Sequence, residues 1–113
     1  MVVRIAFATG SGGLDDEIYS RLGRAPTFTI VDVDEKTGEI LNVKVIENPG
    51  YAAGSGAGVK AAQALGDEKV QVYAGPTPGP NAYAALQYLG IKVVPLTGYK
   101  VRDAVKKVLE MLA

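Results

Sequence analysis

Three glycine-rich segments, a run of carboxylates and two arginines hold the chemistry available to this chain. The glycine segments are Thr9-Gly10-Ser11-Gly12-Gly13, Gly54-Ser55-Gly56-Ala57-Gly58 and Gly75-Pro76-Thr77-Pro78-Gly79-Pro80-Asn81. Glycine allows positive φ and close backbone approach, so such loops can present backbone N–H groups to a ligand. Asp15, Asp16 and Glu17 form the densest acidic run, and Arg21 and Arg24 flank Gly23. Carboxylates in this pattern serve as a solvated first helical turn or as a hard-metal or acid–base site. The arginines could pair with them or meet an anionic ligand. Histidine and cysteine are absent. That removes Ser-His-Asp and Cys-His catalysis, and with them every thiolate or imidazole metal ligand. No lysine follows a glycine loop at Walker spacing, and Gly54-x-Gly56-x-Gly58 lacks the leading strand and spacing of a dinucleotide site. The residues therefore point to a binding protein rather than an enzyme, with no catalytic residue and no metal ligand assigned.

The elements that must position these loops follow from hydrophobic periodicity. Val2 to Ala8 is an apolar run ending in glycine, which predicts a buried strand. Asp15 to Leu22 is expected to form a short helix stopped by Gly23 and Pro26. Thr27–Asp32 and Ile40–Ile46 predict two strands, the second alternating Leu41, Val43 and Val45 against Asn42 and Lys44. The turn sequence Asp34-Glu35-Lys36-Thr37-Gly38 joins them as a hairpin. Gly58–Leu65, Pro80–Leu89 and Lys100–Leu112 predict helices, the last with Val101, Ala104, Val105, Val108, Leu109 and Leu112 on one stripe. Val70–Ala74 and Ile91–Pro95 predict the remaining strands. Strands alternating with helices imply parallel pairing, and the hairpin adds antiparallel members, giving an α/β fold with a mixed five-stranded sheet. Ligands of open α/β sheets bind outside the carboxyl ends of the strands. The loops Thr9–Gly13, Gly75–Asn81 and Leu96–Tyr99 are expected there, with Asn48–Gly58 closing the same rim.

Composition narrows the partners. The length of 113 residues suits one domain spanning 1–113. Twelve basic residues balance twelve acidic ones, so no long-range field draws in nucleic acid or an anionic membrane. No apolar stretch approaches the ~20 residues of a spanning helix, and the start of the chain does not read as a signal peptide; a cytoplasmic location is the expectation. Three asparagines and three glutamines fit a thermophilic source.

The chain resembles the dinitrogenase iron-molybdenum cofactor biosynthesis proteins, small relatives of NifX and of the C-terminal domain of NifB. The matching segments are Ile5-Ala6, Gly13-Leu14-Asp15, Leu22-Gly23-Arg24-Ala25-Pro26-Thr27-Phe28 and Ile46-Glu47-Asn48-Pro49. Gly54 to Gly58, Gly79-Pro80-Asn81-Ala82 and Leu89-Gly90-Ile91-Lys92-Val93 continue the likeness. The resemblance covers nearly the whole chain in order. It implies a three-layer α/β/α sandwich of ribonuclease H-like topology. It also implies a carrier that escorts iron–sulfur cofactor precursors between assembly proteins. Relatives often carry histidine before the Gly-Arg-Ala motif and in the loop entering the first large helix. Here Arg21-Leu22 and Gly50-Tyr51-Ala52-Ala53-Gly54-Ser55-Gly56 stand in those places. Iron–sulfur clusters take thiolate or imidazole ligands, so the cofactor is left unassigned. A precursor would have to be cradled as an anion.

Two readings follow. The first is a non-catalytic carrier holding an anionic ligand at Gly10, Ser11, Gly12, Arg24, Gly56, Gly58, Thr77 and Asn81. The second is a protein–protein interaction or regulatory module without a metal cofactor, monomeric or homodimeric, with Ile40–Ile46 or Thr27–Asp32 as an open sheet edge. An acid–base enzyme built on Asp15, Asp16 or Glu17 is the lesser alternative.

Overall fold

Alternation along the first strand feeds two separate cores. In the computed structural model, which describes residues 1–113, β1 (Val2–Thr9) sends Ala6 and Ala8 to one face and Ile5 and Phe7 to the other. β2 (Thr27–Asp34) and β3 (Ile40–Glu47) follow as the expected hairpin. Then come α1 (Ala57–Asp67), β4 (Val72–Gly75), α2 (Pro80–Tyr88), β5 (Lys92–Pro95) and α3 (Val101–Leu112). The five strands form one sheet in the order β3-β2-β1-β4-β5. β1 is antiparallel to β2 and parallel to β4, which is parallel to β5. The mixed five-stranded sheet expected from the element order is therefore present. β3 is an edge strand, whereas β2 lies inside the sheet between β3 and β1.

One core joins Ala6, Ala8, Phe28, Ile30 and Tyr73 of the sheet to α1 and α2. The other joins Ile5, Phe7, Val31, Val33, Val72 and Val94 to α3. The result is a layer of two helices, the sheet, and a layer of one helix. α3 buries Val101, Ala104, Val105 and Val108. Full burial of an apolar side chain stabilises by about 1.5–3 kcal/mol, so this stripe holds α3 in place although Lys106, Lys107 and Glu110 face water.

One expected element is absent. Asp15–Leu22 is not a helix; it runs as turns and isolated bridges. Its amides bond across the structure instead of along a helix. Ile18 donates to the Tyr99 carbonyl at 3.1 Å and Tyr19 to the Ala8 carbonyl at 2.7 Å. In return, the Asp16 and Leu14 carbonyls accept from Val101 and Arg102 at 2.9 and 2.8 Å. The segment is a strap from the end of β1 to the start of α3.

Candidate functional site

A cleft of about 370 Å³ opens between Ser20–Arg24, Gly56–Val59 and Thr77–Ala82. Its walls are backbone brought unusually close. A Cβ at Gly58 would lie 2.7 Å from the Ala82 Cβ, so a glycine is what lets α1 and α2 meet at their N-termini. A Cβ at Gly50 would run into the Ala57 carbonyl oxygen, and one at Gly23 would sit 3.1 Å from the Gly58 nitrogen. Gly56 caps α1 at φ 68°, a left-handed conformation that disfavours a side chain. Asn48 fixes the third wall. Its Nδ2 donates to the Leu22 and Ala25 carbonyls at 3.1 and 2.8 Å, and its Oδ1 accepts from Gly50 N at 2.8 Å.

The electrostatics of the cleft favour an anion. Neither α1 nor α2 has a side-chain cap or an acidic residue in its first turn. The first turn of any helix leaves N–H groups without an intrahelical acceptor. In α1 these are Ala57, Gly58 and Val59, and in α2 Asn81 and Ala82, Pro80 having no N–H. Two helix dipoles thus end at one cleft, each equivalent to roughly half a positive charge. Arg21 and Arg24 line the same space, and no carboxylate does. Arg24 is steadied by donating from Nη1 to the Ala53 carbonyl at 2.8 Å. Arg21 makes no ion pair in the chain, and neither arginine pairs with the Asp15–Glu17 run.

A tyrosine beneath the floor supports the last wall. Tyr73 is fully buried and its hydroxyl donates to the Pro76 carbonyl at 2.8 Å. Burial raises its pKa and keeps the phenol protonated as a donor. A Cβ at Gly75 would come within 2.6 Å of that hydroxyl, so Gly75 is the residue that lets the chain turn over the ring into Pro76–Gly79.

Of the eight residues singled out from the sequence, Arg24, Gly56, Gly58, Thr77 and Asn81 meet at this cleft, while Gly10, Ser11 and Gly12 do not line it. The first glycine loop folds toward the α3 side of the sheet and takes its own carboxylate. Asp16 Oδ2 accepts from Gly10 N at 3.0 Å and from Gly12 N at 2.9 Å, while Oδ1 accepts from Glu17 N at 2.9 Å. Gly13 N donates to Thr29 Oγ1 at 2.9 Å, and a Cβ on Gly12 would strike Val45. Three of the loop amides are therefore engaged within the chain, those of Gly10 and Gly12 by Asp16 of the strap and that of Gly13 by Thr29. Asp15 pairs with Arg102 at 3.2 Å on the surface. No group of three or more acidic, histidine or cysteine side chains is placed to hold a metal ion. Leu96–Tyr99 also stays outside the cleft. Sequence reasoning gave Tyr73 no role, placed Asn48 only in the rim segment Asn48–Gly58 and read Gly23 only as a helix stop; the signal for the roles of the last two was the pairing of Gly23-Arg24-Ala25-Pro26 with Asn48-Pro49-Gly50.

Comparison with known proteins agrees with this architecture. No curated protein matches the chain. Among solved structures, the apo form of the orange protein from Desulfovibrio gigas is 36% identical, with a TM-score of 0.82 over 96% of this chain and 88% of that one. A protein from Thermotoga described as NifB is 30% identical, with a TM-score of 0.74 over the same shares of the two chains. The model of the family described as dinitrogenase iron-molybdenum cofactor matches residues 1–111. The chain belongs to the dinitrogenase iron-molybdenum cofactor family.

Proposed function

We propose that the protein is a non-catalytic carrier that holds an anionic cargo in the cleft between α1, α2 and the Ser20–Arg24 segment. The cargo proposed is an iron–sulfur cofactor precursor, as the resemblance to the nitrogenase-pathway members of the family implies. The observation that carries the reading is the convergence of two uncapped helix N-termini and two arginines on one cleft that no carboxylate lines. Arg21 and Arg24 would supply long-range attraction and planar N–H forks. The amides of Gly58, Val59, Asn81 and Ala82 would supply short, fixed donors. This donor set does not fit direct ligation of iron, because it contains neither thiolate nor imidazole. The cargo would be gripped through its anionic surface and would keep its own ligands. Such a hold is reversible, as handing a precursor to an assembly partner requires.

The test uses an isolated iron–sulfur cofactor precursor, mixed anaerobically with the full chain and passed over a sizing column. Its visible absorbance should co-elute with the protein and be lost from an Arg21→Ala/Arg24→Ala variant of unchanged fold. Absorbance that never travels with the wild-type chain, or travels equally with the variant, refutes the proposal.

A further inference from the structure

Two arginines of this chain are held by the same grip. Arg4 donates from Nη1 to the Glu68 carbonyl at 2.8 Å, while its Nε and Nη2 donate to the two oxygens of Asp32 at 2.8 and 3.1 Å. Arg24 also donates from Nη1 to a backbone carbonyl at 2.8 Å, that of Ala53, but no acceptor in the chain takes its Nε or Nη2. Those two groups form a planar fork whose parallel N–H bonds match adjacent oxygens of a carboxylate or phosphate. The grip on Arg24 is closed through Asn48, whose side chain is buried at 4% exposure. Asn48 Nδ2 donates to the carbonyls of Leu22 and Ala25, which bracket Arg24 in the chain. Its Oδ1 accepts from Gly50 N, the Gly50 carbonyl accepts from Ala53 N at 3.1 Å, and the Ala53 carbonyl accepts from Arg24. Hydrogen bonds thus run in a ring from the backbone around Arg24, through Asn48, back to its guanidinium. Arg21 lines the same cleft, exposed, with no such ring to fix its side chain.

We infer, on the reading of the cleft as an anion site, that Arg24 is its specificity-determining residue and Asn48 a positioning residue acting through Arg24. The Nε and Nη2 of Arg24 donate to two adjacent anionic atoms of the cargo, as those of Arg4 do to Asp32. The group recognised is therefore one that carries two acceptor atoms side by side. A satisfied buried polar network rigidifies what it holds, and a fork fixed beforehand loses less freedom on binding. Arg21 supplies charge without fixed geometry, so the two arginines have unequal roles. Asn48 does not line the cleft, so its influence on the anion passes through the ring.

Titration of the full chain with inorganic phosphate, followed by NMR, reads each part. The Arg24 Nε–H resonance should shift and saturate with the same dissociation constant as the cleft amides. Arg24→Lys keeps the charge but removes the fork, and should weaken phosphate binding on the order of tenfold. Arg21→Lys keeps the charge at a site without a held fork, and should change it by no more than about twofold. Asn48→Ser breaks the ring and should weaken binding in the wild-type and Arg21→Lys backgrounds, yet add almost nothing to Arg24→Lys. A loss arising only from a loosened fold would be the same in all three backgrounds, because effects that share no partner add. Should Asn48→Ser fail to fold, the two lysine variants and the Arg24 Nε–H signal still decide. Equal losses from the two lysine variants, an Arg24 Nε–H resonance that phosphate leaves in place, or additive effects of Asn48→Ser and Arg24→Lys overturn the inference while the anion site stands. A wild-type chain that binds no phosphate overturns both.

Discussion

Gly58 and Gly66 lie on the same helix, yet replacing each with alanine should move stability in opposite directions. At Gly58 the new Cβ would lie 2.7 Å from the Ala82 Cβ, with the Ala82 Cα behind it at 3.6 Å. Carbon pairs rest at about 3.5–4.0 Å, so the two helix N-termini must separate by roughly an ångström. Overpacking of this kind costs about 1–3 kcal/mol. Alanine recovers at most about 1 kcal/mol of helix propensity, and less in the first turn. The net effect should be a loss of about 1–2 kcal/mol. At Gly66 the new Cβ meets the Cδ atoms of Leu89 at 3.1 and 3.2 Å. Leu89 is half-exposed and those atoms end a flexible side chain, so it can swing away. The propensity gain then dominates, and Gly66→Ala should stabilise by about 0.5–1 kcal/mol. Urea unfolding of both variants beside wild type measures the two values, with midpoint shifts of opposite sign expected. If Gly58→Ala is neutral or stabilising, or if Gly66→Ala costs as much as Gly58→Ala, the close approach of α1 and α2 is not the constraint described.

Three further outcomes follow from the geometry. Asp16→Ala removes the acceptor of three amides, two of them in the Thr9–Gly13 loop, and should cost about 2 kcal/mol by thermal unfolding. Tyr73→Phe leaves the Pro76 carbonyl without its donor. It should cost about 1–2 kcal/mol by thermal unfolding. The third outcome concerns acid. The hydrogen bond from Arg4, at 2.8 Å, holds the Asp32 carboxyl below its ordinary pKa, and the Thr37 and Lys36 amides do the same for Asp34. Because the folded pKa is depressed, this stability is fully present above the unfolded value of about 3.9 and is lost as pH falls through the folded one. Urea midpoints measured from pH 7 downward should fall below about pH 4, and Asp32→Asn should make that fall shallower.

Much of the scaffold was legible because its signals are local. The alternation of Leu41, Val43 and Val45 and the turn at Gly38 suffice for the β2–β3 hairpin, and the stripe from Val101 to Leu112 suffices for α3. The Asp15–Leu22 segment was misread because its acidic, mildly apolar pattern suits a helical first turn. Tertiary bonds to Ala8, Tyr99, Val101 and Arg102 outweigh that local preference. The cleft was legible only in part. Gly56, Gly58, Thr77 and Asn81 stand in glycine-rich loops near helix starts, and that pattern marks them. The division of the rim was not visible. Whether loop amides face a ligand or their own Asp16 depends on contacts such as Gly12 against Val45, which link residues far apart in sequence.

The central claim is that an anion binds where α1 and α2 converge, and a titration with inorganic phosphate followed by amide chemical shifts tests it most directly. Saturable shifts centred on Gly58, Val59, Asn81 and Ala82, abolished in Arg21→Ala/Arg24→Ala, are the expected result. Shifts centred instead on Gly10 to Gly13, or no saturable shift at the two helix N-termini, would contradict it.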